Sequence, residues 1–242
     1  MNLQKKLILN NIKKYVLDIF FPNRCPFCGK VIKWNENCCE KCFAEIPYIT
    51  TEYCKKCGKE NCICSEVQIS YDGCASVTYY SGIIKDGIVK FKTDKALNLV
   101  DVFESDLYNN LNRITDISNI DFVTFVPMNK SAKHSRGYNQ AEVIAGKISK
   151  IICKPVISDI LIKSKNDIIQ HELNRNERRM MVKGLFDFNR KFIKAVKGKN
   201  ILLCDDIITT GSTLNECASV LKQNGAESVY CITIASTQLV KI

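Results

Sequence analysis

Ile201-Leu-Leu-Cys-Asp-Asp-Ile-Ile-Thr-Thr-Gly-Ser-Thr213 is the stretch on which the reading of the whole chain turns. Its first four residues, Ile201 to Cys204, are apolar or small, too few for a helix that covers a core. They run straight into two carboxylates, which predicts a buried strand with Asp205 and Asp206 at its carboxyl end. A Thr/Gly/Ser turn follows, and from Leu214 to Lys222 apolar residues recur at helical spacing and stop near Gly225. Thr213 and Glu216 are spaced as a capping box, which would set the turn on a helix N-terminus. Unpaired backbone N–H groups there, the close approach that Gly211 permits, and hydroxyls on Thr209, Thr210, Ser212 and Thr213 make a cradle for a monophosphate. Carboxylates just ahead of it can accept hydrogen bonds from a ribose diol, or hold a divalent ion through water.

The stretch closely resembles the diphosphoribosyl-pyrophosphate (PRPP) motif of type I phosphoribosyltransferases, in which one strand and turn grip both ends of a ribose 5-phosphate. The plain alternative is an ordinary strand-turn-helix with two surface aspartates.

Working outward, 242 residues suffice for one large core plus a small appended module, and 46% hydrophobic and 25% charged residues are ordinary for a soluble globular protein. The net charge of +10 is unevenly spread: residues 163–199 carry +7, and 200–242 carry −2. Ten of the fourteen cysteines lie before position 75, in paired C-x-x-C spacings with no apolar signal segment ahead of them. Zinc in a reducing cytoplasm explains them better than a disulfide scaffold. No run approaches the length of a membrane span.

Cys25-Pro-Phe-Cys28 and Cys39-Glu-Lys-Cys42 can converge four thiolates on a tetrahedral zinc, leaving Cys38 spare. Cys54-Lys-Lys-Cys57 and Cys62-Ile-Cys64 supply four more. Sequential and interleaved pairing are both open, as is one zinc or two. Four thiolates leave the metal no open position, so its role is structural. Ahead of them, Leu3 to Phe21 alternate lysines with apolar residues on one helical face and end at Pro22; this amphipathic helix is expected to pack against its own domain rather than lie on a membrane.

Tyr71–Tyr80 alternates as a strand, Ile83–Phe91 and Ala96–Leu111 have helical spacing, and Lys90 and Lys92 fit a solvated helix face better than a phosphate contact. Asp121–Pro127 is a second short buried strand. It runs into a basic loop with Lys130, Lys133, His134 and Arg136, then a helix that Asn139 and Glu142 could cap. Strand carboxyl ends face the ligand crevice in an open parallel sheet, so this loop could offer cations to a diphosphate. Ser228–Ala235 supplies another buried strand, and no internal repeat is apparent.

Arg136-Gly-Tyr-Asn-Gln-Ala141, Gln170-His-Glu-Leu173, Glu177-Arg-Arg179 and Gly184-Leu-Phe186, together with the cysteine-rich start, resemble the ComF family of competence-associated phosphoribosyltransferase homologues over nearly the whole chain. Met181 departs from the family, which usually has an asparagine there. The resemblance implies an α/β fold: a type I phosphoribosyltransferase-like parallel sheet with helices on both faces, preceded by a small zinc-ribbon module. The expected division is residues 1–22 (helix), 23–68 (zinc module) and 69–242 (transferase-like domain), with 163–180 as a flexible loop closing over a bound diphosphate. Eleven Lys or Arg lie between Ile162 and Lys199. His134 and His171 are the two histidines; either could act as a general acid or base, but a lone histidine is more often incidental.

Two functions follow from this reading. One is a magnesium-dependent phosphoribosyltransferase, with Asp205 and Asp206 on the ribose hydroxyls, residues 209–213 on the 5-phosphate, and Lys130 and Arg136 on the pyrophosphate. Asp205, Asp206 and Arg136 are its candidate catalytic residues, and no acceptor site or N-terminal glutaminase cysteine is recognisable. The other is a cytoplasmic single-stranded DNA binder in DNA uptake that works with a helicase or recombination partner. Its candidates are Lys133, Tyr138, Arg175, Arg178 and Arg179, with Phe186 and Phe188 as stacking platforms.

Overall fold

The computed structural model describes residues 22–62, 64–164 and 184–237. The expected N-terminal helix lies outside the described residues, as do His171, Arg175, Arg178, Arg179 and Met181. In chain order the helices and strands are α1 (Glu40–Ala44), β1 (Gly73–Tyr79), α2 (Gly82–Thr93), α3 (Leu99–Val102), α4 (Glu104–Ile114), β2 (Phe122–Phe125), α5 (Lys130–Arg136), α6 (Gln140–Ile152), β3 (Leu161–Lys163), β4 (Phe186–Phe188), α7 (Ile193–Val196), β5 (Asn200–Ile208), α8 (Ser212–Gln223) and β6 (Ser228–Ser236).

Four strands form one parallel sheet in the order β1-β6-β5-β2, so the strand holding the acid pair is central. Strand side chains alternate between faces. Leu202, Cys204, Val123, Ile232 and Ile234 join the apolar faces of α2, α3, α4 and α6 in one core. Ile201, Leu203, Phe122, Val229 and Cys231 join α7, α8 and the small antiparallel β3–β4 pair in the other. Burial on both faces is why Ile201–Cys204 reads as a continuous apolar run, and β1, whose sequence suggests alternation, is buried on both faces as well. Both sheet edges are covered. Pro47 to Ile49 pairs antiparallel along β1, and Pro155 to Ile157 runs parallel along β2, leaving neither edge open to another chain.

The zinc module is not a bystander to this core. Phe27, Ile32 and Ile46 belong to the first cluster, and Phe27 meets the buried Phe103 edge-on with ring centroids 6.4 Å apart. A Cβ on Gly87 would come within 2.7 Å of the Phe27 ring, so α2 can settle on that ring only with glycine there.

Several expected boundaries shift for identifiable reasons. The long helix expected over Ala96–Leu111 breaks at Phe103, which is fully buried between Phe27 and Tyr48 and ends one helix as it begins the next. The basic stretch after Pro127 is a short helix, not a loop, because the Asn129 side chain accepts from the Ala132 N–H at 2.7 Å and caps it. The capping box of Thr213 and Glu216 does not form. Gly211, in the left-handed region at φ 80°, is the N-cap and starts α8 two residues earlier, and Glu216 instead accepts from the Gly184 N–H at 2.7 Å. Finally, β5 continues through both acids to Ile208, pairing with β6 as far as Ser236.

Candidate functional site

β2 and β5 are neighbours, but the helices that follow them go to opposite faces of the sheet, α6 to one core and α8 to the other. The connections therefore part at the carboxyl ends of these two strands and leave a crevice, as a switch in strand order does in open α/β sheets. A cavity of about 360 Å³ fills it. Asp205, Asp206, Thr213 and Arg136 line it, joined by Lys92 from α2, Lys163 from β3, Asn139 and Gln140 from the start of α6, and an apolar wall that includes Met128, Leu185 and Phe186.

Consecutive residues of a strand face opposite ways, so the two acids straddle the rim of the sheet. Asp206 leans toward α2, where Lys92 Nζ lies 2.6 Å from its Oδ2. Asp205 lies toward α8, whose buried Cys217 feels its charge, and its Oδ1 accepts from the Asp206 N–H at 2.9 Å. Burial, and then the neighbouring Asp206 charge, push the Asp205 carboxyl well above the usual carboxylate range. The Asp206 N–H and Lys92 pull the other way without cancelling it.

The bend after β5 is drawn tight by its own hydroxyls. Thr210 Oγ1 and Ser212 Oγ are 2.8 Å apart, and the Ser212 N–H donates to Thr210 Oγ1 at 3.4 Å. Thr213 in the first turn of α8 lines the cavity, and the bend of Thr209, Thr210, Gly211 and Ser212 leads directly into it without being part of its lining. Of the basic candidates on α5, only Arg136 reaches the cavity. Lys130 is exposed, and Lys133 pairs with Glu142 at 2.9 Å. That pairing takes Glu142 out of the expected capping role, while the Asn139 side chain does cap α6 by accepting from the Ala141 N–H at 3.0 Å.

Lys92 was the residue that sequence reasoning passed over. It directly follows Phe91, the last buried position of α2, and so emerges at the edge of the packed face rather than on the solvated one. Lys90 is engaged as well: its ammonium donates to the Phe27 carbonyl.

The eight cysteines gather sequentially, Cys25, Cys28, Cys39 and Cys42 in one cluster and Cys54, Cys57, Cys62 and Cys64 in the other, with the sulfurs of each within 4.8 Å of one another. A tetrahedron with 2.3 Å zinc–sulfur bonds has edges of about 3.8 Å. Cys28 and Cys39 Sγ are 3.8 Å apart, and Cys54 and Cys64 Sγ are 3.7 Å apart. Both knuckles have the same backbone pattern, Gly29 N–H to the Cys25 carbonyl and Gly58 N–H to the Cys54 carbonyl, each at 2.8 Å, so a short C-x-x-C-G repeat is present after all. Burial raises the Cys25 and Cys54 thiols, but N–H donors within the knuckles outweigh it and lower both to about 7. A thiolate set of this shape fits structural zinc. Cys38 stays outside it, pushed by burial and by the neighbouring thiols up to about 11.

Residues 16–75 match the Double zinc ribbon domain family and residues 139–238 the Phosphoribosyl transferase domain family. Competence protein ComFC of Bacillus subtilis is 24% identical over 217 residues, covering 84% of this chain and 86% of its own. Competence protein F of Haemophilus influenzae is 28% identical over 211 residues, covering 85% and 86%. The chain belongs to the ComF family. DNA utilization protein YhgH of Escherichia coli O157:H7 is 29% identical over 122 residues, covering 50% of this chain and 52% of its own.

The geometry now accounts for the ComF-like run Arg136-Gly-Tyr-Asn-Gln140. Asn139 is 5% exposed and spans the crevice wall, its Nδ2 donating to the Val126 carbonyl at 2.9 Å while its Oδ1 caps α6. Gln140 is buried and its Nε2 donates to the Phe91 carbonyl at 3.5 Å. Tyr138, expected as a stacking platform, is half-buried against the Phe91 ring and its hydroxyl donates to the same carbonyl. Turning outward would leave that carbonyl to Gln140 alone. Phe188 is half-buried and packs on the second core, and only Phe186 faces the cavity.

Proposed function

We propose that this ComF protein binds a phosphoribosyl ligand, PRPP with magnesium, in the crevice between β2 and β5, and that it binds single-stranded DNA in the course of DNA uptake in the cytoplasm. The observation that carries the first part is the placement of Asp205 and Asp206 at the rim of the central strand, one turn before the N-terminus of α8, in a cavity that also holds Lys92, Arg136 and Lys163. A ribose seated there would donate hydrogen bonds from its hydroxyls to the carboxylates. Its 5-phosphate would take the amides and hydroxyls of residues 209–213. Arg136 and Lys163 stand where a diphosphate would need cations, and the carboxylates fit a magnesium ion that would neutralise part of that charge. Calorimetric titration with PRPP and magnesium tests this: heat and protection of residues 205–213 are expected, and their absence refutes it.

The apolar wall of Met128, Leu185 and Phe186 supports a second reading, an active transferase that rests a planar acceptor on it. Pyrophosphate release from PRPP with candidate bases is its assay. The DNA part rests on the names of the relatives and on charge: Arg190, Lys191, Lys194 and Lys197 are exposed on and beside α7, at the end of the basic segment. Electrostatic binding of this kind weakens steeply as salt rises. Affinity for oligo-dT that is negligible at low salt, or flat against salt, refutes it. A helicase or recombination partner would then be sought on the DNA-bound form.

A further inference from the structure

The second cysteine knuckle inserts a residue that the site described above leaves unused. Lys59, two positions after Cys57, is 4% exposed. A lysine is rarely buried so fully, because its charge is costly to desolvate unless its protons find acceptors. Here Nζ donates to the Thr209 carbonyl at 3.1 Å, Ser236 Oγ at 2.8 Å and the Thr237 carbonyl at 3.0 Å, with the Ile208 carbonyl at 3.5 Å. Three close acceptors match the three protons of an ammonium. All of these groups lie at the carboxyl ends of β5 and β6, between 149 and 178 residues further along the chain.

Thr209 opens the bend that holds Thr210, Gly211 and Ser212. Its carbonyl also accepts from Thr237 Oγ1 at 3.3 Å, and the Thr237 N–H donates to the Ile208 carbonyl at 3.0 Å. Lys59, which is not among the residues that line the cavity, therefore ties the bend to the end of β6. Its own backbone is part of the knuckle: the Lys59 carbonyl accepts from the Cys54 N–H at 3.0 Å, and the neighbouring Lys55 carbonyl accepts from the Cys74 N–H in β1 at 2.9 Å. Glu60, next in line, accepts from Tyr79 at the end of β1 and from Thr51. Two consecutive residues of one knuckle thus anchor on three strand ends. The first knuckle faces elsewhere, its Phe27 under α2 and its Arg24 carbonyl accepting from Asn98 Nδ2 at 2.8 Å.

We propose that Lys59 is a positioning residue for the bend at 209–212, and that the metal held by Cys54, Cys57, Cys62 and Cys64 sets the shape of that bend through it. The first cluster does not. Binding at the two places is then linked, and linkage is reciprocal: a ligand that orders the bend also tightens binding of the second metal. The ligand half of this statement rests on the phosphoribosyl reading, whereas the ordering of the bend does not.

Hydrogen exchange read by mass spectrometry on the full zinc-loaded chain tests it. Lys59→Met keeps the aliphatic stem and removes the ammonium; with both zinc ions retained, the amides of residues 208–213 are expected to exchange about tenfold faster, the scale of one strong hydrogen bond. Amides of β2 serve as the internal reference and stay unchanged. The double variant Cys54→Ser/Cys64→Ser reproduces the acceleration, and Cys25→Ser/Cys28→Ser leaves the bend slow. Unchanged exchange in Lys59→Met, or equal effects from both cluster variants, overturns the proposal. Should these variants fail to fold, a chelator time course on the unaltered chain decides: exchange at 208–213 must rise with loss of the second zinc and not the first. Ribose 5-phosphate as probe is expected to lessen that loss at equilibrium with the chelator. A bend that responds to metal but not to ribose 5-phosphate leaves the positioning role intact and removes the ligand reading.

Discussion

Asp205→Asn is the change most diagnostic of a site built for ligand rather than for stability. Asparagine keeps an oxygen where Asp205 Oδ1 now accepts from the Asp206 N–H at 2.9 Å, so the local hydrogen bond survives and only the charge is lost. That charge is unfavourable in the folded chain: desolvation, then repulsion from Asp206, raise the Asp205 pKa well above its usual value of 3.8. The direction of the pH dependence follows. A carboxyl with a raised folded pKa favours the folded state while protonated, below 3.8, and that advantage is lost as pH rises toward the folded pKa. Each unit of separation is worth about 1.4 kcal/mol, so Asp205→Asn is expected to be the more stable protein at pH 8. The melting temperature should rise accordingly, by about 2–4 °C for each kcal/mol gained in a chain of this size. The advantage should shrink as pH is lowered toward the unfolded pKa. Differential scanning fluorimetry from pH 5.5 to 8.5 with excess zinc reads this directly, and PRPP binding measured in parallel should be lost. An Asp205→Asn protein less stable than the unaltered chain at pH 8 would refute the claim that the acid pair is held under electrostatic strain.

Lys92→Met removes the cation 2.6 Å from Asp206, in a pair whose side chains are 30% and 15% exposed. It should cost about 1–3 kcal/mol, between the exposed and the buried limits, and the double variant with Asp205→Asn should cost less than the single ones imply, as a thermal-melt double-mutant cycle would show. Gly211→Ala places a Cβ on a residue at φ 80°, 3.3 Å from the Tyr71 hydroxyl. A loss of about 1–2 kcal/mol is expected, together with weaker ribose 5-phosphate binding by calorimetry. Metal analysis of the purified chain should return two zinc ions, and a chromogenic dye should recover both after thiol modification; one ion, or none, contradicts two closed thiolate sites.

How much of this was legible in the sequence depended on whether the signal was local. The strand-turn-helix around Asp205 and the C-x-x-C pairs are decided within about ten residues, and periodicity or spacing suffices to find them. Of the buried strands, β5 alone is clipped by more than a residue when read from sequence, since Asp205 and Asp206 break the apolar run while the ladder to β6 continues through them; Tyr71–Tyr80 and Asp121–Pro127 overrun β1 and β2. The basic stretch at 130–136 was misread as a loop because its helix is closed by one cap, Asn129, with no apolar stripe to announce it. Lys92 and Lys59 could not have been placed, because each owes its role to a partner more than a hundred residues away. A lysine beside a knuckle or at a helix end has the same sequence signature whether it meets water or a carboxylate.

The two knuckles repeat one backbone design yet are spent differently, and this bears on whether residues 69–242 fold without the zinc module. Phe27, Ile32 and Ile46 are 3%, 6% and 7% exposed, and all belong to the core shared with α2, α4 and α6. Burying each contributes about 1.5–3 kcal/mol, so their removal alone costs an amount comparable to the whole stability of a typical domain. Deleting the module also strips the edge of β1 of its partner at Pro47 to Ile49, and takes Lys59 from beneath the bend. The fragment 69–242 is therefore expected to keep helical and strand signals in far-UV circular dichroism while losing its near-UV spectrum and its cooperative melt, and to bind a hydrophobic dye. Adding back residues 1–68 with zinc should restore the melt in part, since the contacts at Gly87 and the β1 edge need no covalent link. A fragment that melts cooperatively within a few degrees of the full chain would mean that the shared core is an interface between two folding units rather than a single one.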